Sequence, residues 1–167
     1  VGKRFTAGSR SPEFIEENFS EGDFSDVVYI TANPFFSPDN FKDLTGREVG
    51  EVFHEVFHTY RTDWSEEKKT VLPEEIVRDA LTAQKLFPDK RKIVHFMQPH
   101  HPFVRRDLVD KGFGDILEED YYTDEWTEMN KGNLSHSEVM EAYYDNLDFV
   151  FPHAEKLAEK FDGRTVI

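Results

Sequence analysis

Two stretches of this chain are written in the residues of buried β-strands, and each runs directly into proline. "DVVYITANPF" (residues 26–35) is β-branched and aromatic up to Asn33-Pro34, and "RKIVHFMQPHHPF" (residues 91–103) is apolar up to Pro99. Apolar runs without alternation suit strands covered on both faces. Proline cannot donate to a sheet ladder, so each strand must stop there. Between them, "PEEIVRDALTAQKLF" (residues 73–87) opens on Pro73 and two glutamates and puts Ile76, Val77, Ala80, Leu81 and Phe87 on its inner side, a helix signature. Strand, helix, strand in that order predicts a parallel pair joined by a crossover.

The remaining segments extend this pattern. Ser11 as cap and Pro12 at the first helical position predict a short helix over "SPEFIEENF". "SPDNFKDLTGREVG" (residues 37–50) reads as turn-rich, and residues 104–134 as a polar, irregular excursion over the surface. Ser135 and Glu138 have capping-box spacing for a helix to about Phe161, striped by Val139, Tyr143, Leu147, Val150 and Leu157. Pro152 should kink or split that helix. Asp162-Gly163 should end it, and "RTVI" should begin a further strand. The expectation is one α/β domain over residues 1–167, a mostly parallel sheet flanked by helices. The chain starts without methionine and stops on that strand-like ending, so it reads as a segment of a longer domain.

Charge and composition narrow the function classes. The formal charge of -14 disfavours a nucleic-acid backbone or an anionic membrane surface as the main partner, and suits a salt-rich medium. With no cysteine, disulfides, thiolate zinc sites and cysteine nucleophiles are excluded. No run approaches the length of a membrane span, and "VGKRFTAGSR" lacks the apolar stretch of a signal peptide, so a soluble, cytoplasmic chain is expected.

One short motif has a mechanism of its own. His54-Glu55-Val56-Phe57-His58 matches the HExxH pattern, in which two histidines one helical turn apart hold zinc and the glutamate activates water. Glu75 and Asp79 would offer a third ligand. A zinc peptidase using His54, Glu55 and His58 is therefore one alternative. The bland alternative is a solvated face carrying ordinary histidines.

Taken in order, "DVVYITANPF", "VFHEVFHTYRTDW", "RKIVHFMQPHHPF", "EAYYDNLDFVFPHAEKL" and "GRTVI" resemble consecutive blocks of the sulfatase-like branch of the alkaline phosphatase superfamily, over nearly all of residues 10 to 167. "PHHPF" preceded by His95 is the most specific of them. The resemblance implies an alkaline-phosphatase-like core and a hydrolase or transferase acting on small phosphate or sulfate esters. It also implies a divalent metal (zinc, calcium, magnesium or manganese) and a Ser, Thr or formylglycine nucleophile. His100 falls on the family histidine that contacts the anionic group or the leaving oxygen, and so carries the catalytic and substrate-binding assignment. His101 fills the variable position beside it and shares the substrate-binding assignment, and Pro102 and Phe103 match the family's Pro-Tyr. His95, within the strand, is expected to be a satisfied core histidine.

The same resemblance places "VFHEVFH" on a short, often extended block, with His54 where the family has aspartate. The nucleophile and first metal-binding aspartate would lie upstream of Ser11, and the second metal motif would follow Ile167. Ser9 and Ser11 lack the nucleophile pattern, and no metal ligand is assigned within the chain. This segment alone is then expected to be inactive. A non-catalytic α/β domain that keeps only the fold is the remaining alternative.

Overall fold

The computed structural model describes residues 8, 10–108 and 125–167. The elements in chain order are α1 (Ser11–Phe19), β1 (Phe24–Thr31), a 3-10 turn (Pro34–Phe36), α2 (Pro38–Thr45), α3 (Val49–Val52) and β2 (Phe53–His58). They continue with α4 (Thr59–Thr62), β3 (Trp64–Ser65), β4 (Thr70–Val71), α5 (Pro73–Leu86), β5 (Arg91–His95), α6 (Glu125–Lys131) and α7 (His136–Lys160).

The main sheet has the order β2-β1-β5 and is parallel throughout. Its centre is β1, whose register runs Tyr29 to Val56 and Ile93, and Thr31 to His58 and His95. Because side chains alternate along a strand, β1 feeds two cores. Val27 and Tyr29 join Ile15, Phe19, Phe36, Phe41, Val52 and Phe53 on the side of α1, α2 and α3. Val28, Ile30 and Ala32 join Val71, Ile76, Ala83 and Met97 on the side of α5. That two-sided burial is why the strand reads as an unbroken apolar run. Helix α7 then packs on α5 through Leu157 against Val77 and Ala80.

The α/β expectation holds: a parallel sheet flanked by helices. Several local expectations change. The stretch over residues 37–50 is largely helical. Ser37 accepts from the Asn40 amide, Pro38 opens the first turn of α2, and Gly46 closes it with φ 72°. All three signals are in the sequence, and buried Phe41 supplies the anchor. Residues 125–131 form α6 instead of an irregular excursion. Trp126, Met129 and Leu134 pack with buried Phe103, Val139 and Ala142 in a small satellite core. The rest of that stretch, residues 109–124, lies outside the described residues.

Pro152 lies inside α7 without splitting it. Pro152 and Asp148, whose carbonyl loses its helical donor, are both exposed residues. Residues 164–167 form no strand, and Val166 and Ile167 are 80% and 70% exposed. No helix among the described residues is long and apolar enough to cross a membrane.

Candidate functional site

In a parallel sheet, ligands are met beyond the carboxyl ends of the strands. Here β1 and β5 end side by side: Thr31 pairs with His95, and the Ala32 amide donates to the His95 carbonyl at 3.0 Å. Each chain then leaves the sheet through a fixed turn.

Beyond β1, buried Asn33 organises its own corner. Its amide nitrogen donates to Thr31 Oγ1 (2.9 Å), its Oδ1 accepts from the Phe35 amide (3.0 Å), and its Nδ2 donates to Ser11 Oγ (2.8 Å). Ser11 is thereby used to tie α1 to the strand end. Ser9 lies outside the described residues.

Beyond β5, the loop "QPHHPFVRR" is held at several points. Buried Gln98 donates through Nε2 to the Val71 carbonyl at 3.0 Å, linking the loop to β4. The His100 amide donates to the Met97 carbonyl (3.1 Å), and the Gln98-Pro99 and His101-Pro102 peptides are cis. The main clamp is Asn146 on α7, fully buried. Its Nδ2 donates to the carbonyls of His100 (3.1 Å) and Pro102 (3.2 Å), and its Oδ1 accepts from the Val104 amide (2.9 Å). One side chain thus satisfies three backbone groups that no ladder could reach. Phe103 is buried in the satellite core, an anchor worth about 2 kcal/mol. Arg106 extends the attachment to Asp145 and Glu141.

The two adjacent histidines are treated oppositely. His100 is exposed, and its Nδ1 lies 2.6 Å from the His101 carbonyl oxygen. A carbonyl only accepts, so Nδ1 carries the proton, and Nε2 is the other ring nitrogen. The side chain of His101 is 3% exposed, and its Nδ1 lies 3.4 Å from Oε2 of Glu125, itself 3% exposed, at the start of α6. Their rings lie 4.3 Å apart at 31°. His100 is presented outward, and His101 faces inward against a carboxylate.

His95 belongs to the core, as expected. Its Nδ1 lies 3.0 Å from the Tyr29 hydroxyl, among the rings of Phe14 and Phe36. Burial holds its pKa down to about 4 and pushes that of the Tyr29 phenol up, so both groups are neutral near pH 7.

The HExxH residues lie on a strand, β2, and not on a helix. Four residues of strand separate His54 from His58 by about 13 Å, too far to share one ion. His54 packs edge-on against Phe87, and His58 Nδ1 lies 3.2 Å from the Tyr60 hydroxyl. Burial lowers the His58 pKa, with the nearby Arg61 charge adding to it. Glu75 and Asp79 both pair with Arg78, at 2.5 and 3.0 Å, and Asp79 also accepts from the Thr59 hydroxyl. Among the described residues, no three His, Asp or Glu side chains are grouped to hold a metal ion.

Asn146, Gln98 and Glu125 went unrecognised in the sequence. Asn146 alone had a signal: a buried-side amide in an otherwise apolar stripe. Comparison with protein-family models, curated proteins and solved structures finds no match to this chain.

Proposed function

We propose that this chain carries part of an anionic-ester site of the sulfatase-like kind, within an alkaline-phosphatase-like core, that hydrolyses or transfers small phosphate or sulfate esters. One observation carries the reading. His100 stands exposed on a loop clamped at the carboxyl end of β5, with Nδ1 committed to the His101 carbonyl. An imidazole oriented in this way can donate from Nε2 to an ester oxygen when protonated, or accept a proton there when neutral. The His101 ring lies 4.3 Å from its own, and His101 in turn faces Glu125. A divalent metal is part of the proposed chemistry and would neutralise the ester charge.

The test has two arms. In this chain, phenyl phosphate and phenyl sulfate should shift the ring signals of His100 in a saturable way by NMR, and His100→Ala should abolish the binding. In the longest natural chain containing this sequence, metal-dependent release of phenol should fall by at least about 100-fold in His100→Ala, the range for loss of a general acid or base. Turnover unchanged by that substitution would sink the catalytic assignment.

A further inference from the structure

We propose that Arg105 is a second anion-binding residue of the His100 site, offering its guanidinium fork to the ester oxygens; this rests on the reading of His100 above. Arg105 and Arg106 are neighbours, and the fold uses them differently. Arg106 donates through Nε to Asp145 and through Nη1 to Glu141, the latter at 3.0 Å, so its charge is balanced by α7. Arg105 is exposed, and among the described residues no carboxylate pairs with it. Its guanidinium carbon instead lies 5.0 Å from the centroid of the Phe149 ring.

That contact positions the group without consuming it. An aromatic ring engages the flat face of a guanidinium and leaves its N–H edge able to donate, and two parallel N–H bonds match the oxygens of a phosphate or sulfate group. The same helix holds both candidates. Asn146 binds the His100 carbonyl, and Phe149 lies three residues further on, roughly 4.5 Å along the helix axis. His100 and Arg105 therefore sit on one short loop fixed to one turn of α7. In a chain with 34 acidic residues and a formal charge of -14, an anionic ester needs a local cation left uncompensated. Among the described residues Arg105 is such a cation, on the same loop as the presented histidine.

The experiment is NMR titration of phenyl phosphate into the chain and its variants, following the His100 ring and the Arg105 Nε–H signals. Both sets should move together on one saturation curve. Arg105→Met should raise the Kd about tenfold. Arg105→Lys should recover part of that loss, because a lysine keeps the charge over Phe149 and lacks the fork. Thermal melts check that the exposed substitutions leave the fold intact. Binding lost in His100→Ala but unchanged in Arg105→Met overturns the role of Arg105 and leaves the His100 reading standing. If the unsubstituted chain shows no saturable binding, both fall.

Discussion

The side-chain amide of Asn146 donates to the carbonyl oxygen of His100 over 3.1 Å, joining residues 46 positions apart. With its bonds to Pro102 and Val104, that contact makes α7 the splint of the loop that presents His100.

Replacing Asn146 should therefore act on stability and on the site together. Asn146→Leu removes a hydrogen-bond partner from three backbone groups, and a loss of about 2–4 kcal/mol is expected in urea unfolding. Asn146→Asp keeps an acceptor for the Val104 amide but turns a carboxylate oxygen toward two carbonyls, so it should be no better tolerated. A loss below about 0.5 kcal/mol would show that the loop holds itself.

Stability should depend on pH through His95. Its folded pKa, about 4, lies below the ordinary value of 6.5, so between those limits the unfolded chain binds a proton that the folded chain refuses. The contribution is complete above pH 6.5, is lost as pH falls toward 4, and amounts to about 3 kcal/mol in all. In His95→Gln, whose amide oxygen can still accept from Tyr29, that component of the slope should vanish. Parallel urea melts across this window measure it.

Pro152 should be a removable liability. It withholds one helical hydrogen bond from α7 while exposed to solvent. Pro152→Ala restores the donor and should stabilise the chain by about 1–2 kcal/mol, the helix gain being offset partly by a freer unfolded state. A lower melting temperature would mean that the helix depends on a bend there.

Gly46 tests the cap of α2. Its φ of 72° is left-handed, and an added Cβ would meet nothing within 4 Å. Gly46→Ala should therefore cost only the backbone strain, about 1 kcal/mol, by thermal or urea unfolding. A loss of several kcal/mol would require a steric clash that this geometry lacks.

Much of the architecture was legible because it is written in short-range periodicity. The runs at Val27–Ala32 and Ile93–Phe96, the stripe of α5 and the capping box of Ser135 and Glu138 each report a local period or a local hydrogen bond. Errors arose where local signals were weak or in competition. "SPDNFKDLTG" carries a start and a stop so close together that its local signals are those of turns, although Phe41 makes it a helix. "RTVI" has strand-forming residues but pairs with no strand among the described residues.

The sequence by itself determined the alternation of strand and helix, the buried faces of β1 and α5, and the place where a histidine-bearing loop leaves the sheet. Only the tertiary structure decided that His100 faces out while its neighbour His101 is closed against Glu125, that Asn146 holds the loop, and that Arg106 pairs with the carboxylates of α7 while Arg105 lies over the Phe149 ring. The physical reason is range. Hydrophobic period encodes which side of an element is dry, whereas the partner of a loop carbonyl or a guanidinium depends on how α7, distant in sequence, is laid across the sheet end.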